Sequence, residues 1–156
     1  MPITPQALAN RLREEGDRVT EFFNHLTRDQ WRVHIYPLES DWSLHHLLAH
    51  FVSSEIGRNE LIFDVQHGGK GAPIDFEIDH FNRMEVEKYS AESDDELLFR
   101  YAQERAHLVE HVSAMSMQDL HRIGNDPYLG EVPLSDMIKL TYRHLQIHLR
   151  DARRVL

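Results

Sequence analysis

Apolar residues recur at helical spacing through four long segments of the chain, and no segment alternates in the way a half-buried strand does. The first segment covers about residues 5–26, with Thr4 placed to cap it. The second begins at the N-cap candidate Ser43 and extends to about residue 66, where a glycine-rich run ends it. The pattern predicts an α-helix over each segment.

The second half of the chain predicts two more long helices. Ser93 and Glu96 form a capping-box pattern at the start of the third, and the fourth begins near Pro133 and runs almost to the end. Residues 67–92 connect the second helix to the third, and residues 78–88 within them have the pattern of a short extra helix.

Four helices of similar length with one long connection predict an all-α fold. We expect a four-helix bundle with one long crossover between helices two and three. The 156 residues fit a single domain, residues 1–156, that can bury a substantial core.

Composition narrows the classes of function. A net charge of −9 with no basic stripe disfavours nucleic-acid binding. The chain has no cysteine, which excludes disulfides, thiolate metal ligands and a cysteine nucleophile. No apolar run reaches the length of a membrane span and no signal-peptide pattern is visible, so we expect a cytoplasmic protein without membrane partners.

The apolar face of the last helix contains two histidines, His144 and His148, one turn apart, with Asp151 beside them. The other residues on the same face are Leu134, Met137, Leu140, Thr141, Leu145, Ala152 and Val155. Burying two imidazoles costs free energy unless a partner satisfies them, and a metal ion does so well. The alternative is a pair of hydrogen-bonded histidines in the core or at its rim.

A zinc-type catalytic site commonly uses three protein ligands, so a third histidine is needed. His50 lies at the edge of the apolar stripe of helix two and is the best candidate if helix two packs beside helix four, whereas His46 turns outward. His107 and His111 point away from the stripe of helix three, so we expect them to be exposed.

Three charged residues also fall on inward faces. Glu55 on helix two and Arg105 on helix three predict either a buried ion pair or catalytic roles, Glu55 as a general base and Arg105 as a clamp for an anionic substrate. Asp151 either has a catalytic role, in which it orients a ligating imidazole or helps to shuttle a proton, or pairs with Arg105 or Arg154.

Trp42 directly precedes the N-cap of helix two. This is the position of a hydrophobic staple, which predicts a structural role for the ring. A ring that faces a substrate is the alternative.

The segment Asp41-Trp42-Ser43, the run Leu47-Leu48-Ala49-His50 and the late His144-x-x-x-His148 together resemble the DinB-like superfamily of four-helix proteins. The Phe81-Asn82 stretch is similar to an acid-Phe-Asn segment of some members. The resemblance implies a divalent metal, nickel or zinc, held by His50, His144 and His148.

Characterised relatives implied by the resemblance include mycothiol- or bacillithiol-dependent transferases and isomerases, and hydrolases that remove reactive molecules. We therefore expect a metal-dependent hydrolase or thiol-dependent transferase that acts on a small electrophilic or xenobiotic molecule, with a low-molecular-weight thiol as a candidate co-substrate. Leu149-Arg150-Asp151 stands where thiol-transferase members often have Arg-Gly-Gln. The alternative is a non-catalytic small-molecule-binding or stress-response bundle with structural histidines. A homodimer fits either reading.

Overall fold

The structure, a computed structural model, describes residues 2–37 and 41–156. These residues form a mostly helical fold with five α-helices and one β-hairpin. In chain order the elements are α1 (Pro5–Asn24), α2 (Leu44–Gln66), α3 (Ile78–Tyr89), α4 (Asp94–Ser113), β1 (Ile123–Asp126), β2 (Gly130–Pro133) and α5 (Leu134–Val155). The short extra helix predicted in the long connection is confirmed as α3.

Side-chain caps begin three of the helices where the sequence predicts them. The Thr4 hydroxyl accepts a hydrogen bond from the backbone of α1 at 3.1 Å. Ser93 and Glu96 form the predicted capping box of α4. Ser43 forms a second capping box with His46, whose imidazole Nδ1 accepts from the Ser43 backbone amide at 3.2 Å. His46 therefore stabilises a helix start.

The hairpin corrects the expectation that the chain has no strands. β1 and β2 pair antiparallel, from Ile123 opposite Pro133 to Asp126 opposite Gly130. Asp126 closes the turn by accepting from the backbone amide of Tyr128 at 2.8 Å. Each strand has only four residues, which is too short for an alternating pattern to be recognised.

The long helices bury two apolar clusters. α1 packs against α4 and α5, and α2 packs against α3, α4 and α5. One cluster includes Phe23, Leu47, Phe51, Tyr101, Leu145 and Leu149. The other includes Leu12, Ile62, Leu108, Leu134 and Met137. Buried charged residues lie between these clusters along the helices: Glu55 and Arg58 on α2, and Arg105 on α4.

Glu55 and Arg105 form a bidentate ion pair. Arg105 Nε and Nη2 donate to the two Glu55 carboxylate oxygens at 2.6 and 2.8 Å, and Nη1 donates to the Leu12 carbonyl at 2.9 Å. Gly16 on α1 leaves the space for this arginine, since a Cβ at that position would lie 2.6 Å from Arg105 Cγ. The pair therefore joins α1, α2 and α4.

We predict that Glu55→Gln destabilises the protein by about 3–5 kcal/mol, because it leaves the buried guanidinium without a counter-charge. Urea unfolding measures this loss. Glu14→Gln, a change at an exposed glutamate of α1, should shift stability by no more than about 0.5 kcal/mol. A double variant, Glu55→Leu with Arg105→Met, should recover much of the stability. If Glu55→Gln lowers the free energy of unfolding no more than Glu14→Gln does, the ion pair does not hold these helices together.

Candidate metal centre

Three histidines from two distant parts of the chain meet where α2 packs against α5. His50 lies on α2, and His144 and His148 lie one turn apart on α5. Each offers a ring nitrogen, and these atoms all lie within 4.8 Å of one another. The Nε2 atoms of His144 and His148 are 3.0 Å apart, a separation that needs a proton or a cation between the two nitrogens.

The environment keeps these imidazoles neutral. His50 is 2% exposed, and burial together with the neighbouring His144 and His148 lowers its pKa well below the ordinary value. Burial, then His148 and then Arg58, lower the pKa of His144 to about 3. Burial also lowers the pKa of His148, against the opposing effect of Asp151. Neutral imidazole is the form that binds a metal.

His50 carries a polar atom that protein contacts leave unsatisfied. Its Nδ1 is buried and has no hydrogen-bond partner within the described residues. A buried donor or acceptor of this kind is costly and calls for a specific explanation. A cation bound by the three imidazole rings would offset the free-energy cost of burying His50. The residues present therefore fit a divalent metal.

A tyrosine and an aspartate hold the outer side of His148. The Tyr36 hydroxyl donates to Asp151 Oδ2 at 2.7 Å and lies 2.9 Å from His148 Nδ1. Because the hydroxyl has one proton, His148 Nδ1 donates to it and His148 Nε2 is left with its lone pair. The hydrogen bond from Tyr36 lowers the pKa of Asp151, which keeps this carboxylate ionised.

The loop before α2 brings Tyr36 to α5. The backbone amide of Ile35 donates to the Trp42 carbonyl at 2.8 Å, and that of Leu44 donates to the Val33 carbonyl at 3.0 Å. These two bonds fasten residues 33–36 alongside the start of α2. The position of Tyr36 is therefore set by the N-terminal end of α2, the helix that carries His50.

The histidines open into a cavity of about 800 Å³. Its lining contains Tyr36, Trp42, His50, Asp79, Asn82, Arg83, Tyr128, His144, His148 and Asp151. The Trp42 ring lies 5.1 Å from the His50 ring and also packs against the core. The staple prediction for Trp42 is thus incomplete, since the ring faces the cavity as well.

The other predicted site residues lie in different places. Glu55 and Arg105 form the buried ion pair that the sequence left open, and neither belongs to the described lining of the cavity. Asp151 reaches His148 through Tyr36 and pairs with Arg150 at 3.3 Å rather than with Arg105. His107 is exposed as predicted, whereas His111 is half-buried because it packs against Gln66.

Sequence reasoning missed several residues of the site. Tyr36 lies in an irregular loop with no periodic pattern, and Tyr128 lies in the hairpin turn, between the third and fourth predicted helices. Asp79 and Arg83 are on α3, whose polar face is typical of any exposed helix. Nothing in the sequence could have selected these four, because their role depends on which elements surround the histidines.

The sequence also matches a known protein family. A family model described as the DinB superfamily matches residues 7–152, and the chain belongs to that superfamily. No curated protein sequence matches the chain.

Two solved structures share the fold. A mycothiol-dependent maleylpyruvate isomerase superposes with a TM-score of 0.79 at 18% identity, covering 96% of this chain and 61% of the isomerase. A histidine-to-alanine mutant of a mycothiol-dependent maleylpyruvate isomerase gives a TM-score of 0.78 at 17% identity, with the same coverage of both chains. The present chain thus spans about three fifths of the length of these structures.

Among the described helices, none combines the length and the hydrophobicity that crossing a bilayer requires.

We predict that the metal-free protein loses stability as the pH falls below about 6.5 toward 3. The unfolded chain binds protons on these histidines near pH 6.5, while the folded pKa of His144 is about 3, so acid favours the unfolded state. Urea midpoints of chelator-treated protein across this range measure the dependence. His144→Gln should flatten it and His107→Gln, at an exposed histidine, should not. Equal slopes in all three proteins would contradict burial of a neutral His144.

Proposed function

We propose that this protein is a metal-dependent enzyme that acts on a small molecule at His50, His144 and His148. The observation that carries the proposal is the convergence of three neutral ring nitrogens within 4.8 Å of one another at the wall of a cavity. The cavity volume of about 800 Å³ falls in the range of small-molecule sites, roughly 300–1,000 Å³.

The donor set suits zinc or nickel. Imidazole is a good ligand for either ion, and three protein ligands leave a coordination position for another molecule. A divalent ion held by His50, His144 and His148 would supply Lewis acidity, which would make a thiol or water a better nucleophile at neutral pH. We take zinc or nickel as the resident metal.

The chain's own residues orient and charge-balance the site. The Asp151 carboxylate, through the Tyr36 hydroxyl, keeps His148 in the tautomer that offers Nε2. It also places a negative charge near the imidazole, with the Tyr36 hydroxyl between the two groups. The ionised Asp151 is also the candidate to accept a proton released at the site. Arg83 and Asp79 contribute charges to the cavity lining that can position a polar substrate.

A low-molecular-weight thiol is our preferred co-substrate. The similarity in fold to a mycothiol-dependent maleylpyruvate isomerase supports thiol chemistry, and a chain without cysteine must take its thiol from a small molecule. Hydrolysis of an electrophile is the second candidate, supported by the ionised Asp151 near the histidines. Turnover of a chromogenic chloronitroarene with and without added thiol separates the two, because only transfer requires the thiol.

We predict that untagged protein contains about one zinc or nickel ion per chain, and that His50→Ala, His144→Ala and His148→Ala each lose most of it. Elemental analysis measures the content, with His107→Ala as the matched control. Chelation should lower the melting temperature. Zinc added back at a free concentration of about a thousand times its Kd should raise the free energy of unfolding by about 4 kcal/mol. Protein that is metal-free and indifferent to chelators would instead support the non-catalytic bundle with structural histidines.

We also predict that Tyr36→Phe weakens metal binding about 10- to 100-fold, because it removes the hydrogen bond that orients His148. Competition with a chromogenic chelator gives the affinity. Tyr89→Phe, at the end of α3, changes a tyrosine outside the described cavity lining and should leave the affinity unchanged. If the two variants bind metal equally well, the Tyr36 hydroxyl does not position the ligand.

A further inference from the structure

A second cavity, of about 290 Å³, adjoins the histidine cavity. Asn82 and Tyr128 line both, and the Asn82 amide lies 3.3 Å from the Tyr128 hydroxyl. The Tyr128 ring is 5.5 Å from the His144 ring. These two side chains therefore form the boundary between the metal centre and the second cavity.

The second cavity is mainly apolar. Its walls come from α2, the start of α3, residues 71–76 and the hairpin turn. Apolar side chains of the lining include Leu61, Phe76, Ile78 and Phe81. The buried Arg58 of the lining is neutralised by Asp126 at 2.6 Å, and the carboxylates of the lining, Glu60 and Asp64, belong to exposed residues. An uncharged apolar group is the occupant that this lining favours.

Two features give the cavity a defined shape. Gly57 faces it from α2, and apart from its own helix backbone and chain neighbours no described atom lies within 4 Å of the position a Cβ would take there. The opposite wall is fastened to β1, since the Ala72 amide donates to the Asn125 carbonyl and the Asn125 side chain donates to the Ala72 carbonyl, both at 2.8 Å. The space thus exists because Gly57 has no side chain and because the segment opposite it is held in place by β1.

We propose that this second cavity receives the apolar portion of a ligand whose polar end lies at the three histidines. This inference rests on the proposed function and adds a class of substrate, an amphipathic molecule with a polar head and an uncharged hydrocarbon or aromatic group. The volume is about twice that of an apolar cavity of about 150 Å³ that holds benzene, so it admits a group of roughly six to ten carbons.

Linear alkanethiols from ethanethiol to octanethiol test the proposal on Co²⁺-loaded protein. Thiolate-to-cobalt absorption reports binding without any turnover. The Kd should fall about threefold to fourfold for each added methylene until the cavity is full. Gly57→Leu should abolish this chain-length dependence, while Gly57→Ala, which occupies little of the space, should retain most of it.

The outcomes separate this inference from the proposed function. Failure of the wild-type protein to take up Co²⁺ would count against the metal centre itself. Uptake of Co²⁺ and binding of thiols with the same Kd at every chain length would overturn the apolar subsite. An unchanged dependence in folded Gly57→Leu would overturn it as well. The wild-type series needs no variant, so the test stands even if Gly57→Leu does not fold.

Discussion

The arrangement of the helices depends on satisfying polar groups that are buried along α2. His50, Glu55 and Arg58 lie within about two turns of this helix, and all three are buried. Glu55 and Arg58 each find a counter-charge on another element, because an unpaired buried charge costs several kcal/mol, and His50 faces His144 and His148 on α5. The positions of α4, α5 and the hairpin around α2 follow from these pairings together with the apolar clusters on either side.

The three residues have different roles. Both Glu55 carboxylate oxygens accept hydrogen bonds from Arg105, and Glu55 lies outside the described lining of the histidine cavity, so it is not placed to exchange protons there. Arg58 binds Asp126 and the Met137 carbonyl, and so holds the hairpin against α5. His50 faces two further histidines, so the residues that fit a metal lie at the N-terminal part of α2.

The hairpin and α3 convert a histidine cluster into a bounded site. Tyr128 from the turn and Asn82 from α3 line both the histidine cavity and the apolar cavity. A polar compartment thereby adjoins an apolar compartment across two side chains. Such a division suits recognition of a molecule that has both kinds of surface, since each part is desolvated where its contacts are favourable.

Much of the fold could be predicted from local patterns. Helix starts followed from capping residues such as Ser43 and Ser93, and α3 followed from its spacing within a long connection. The four-residue strands could not be predicted, since their pairing is a contact between segments rather than a pattern within either. The inward positions of Glu55 and Arg105 were predictable, but the choice between an ion pair and catalysis was not.

Sequence by itself determined that His144 and His148 share one face of one helix, because that depends only on helical geometry and their spacing. It placed His50 merely at the edge of a stripe. Tertiary structure decided that His50 is buried beside them, because burial depends on how α2 packs against α5. It also decided that Tyr36, from an irregular loop, supports His148, since a hydrogen bond across 112 positions leaves no trace in local periodicity.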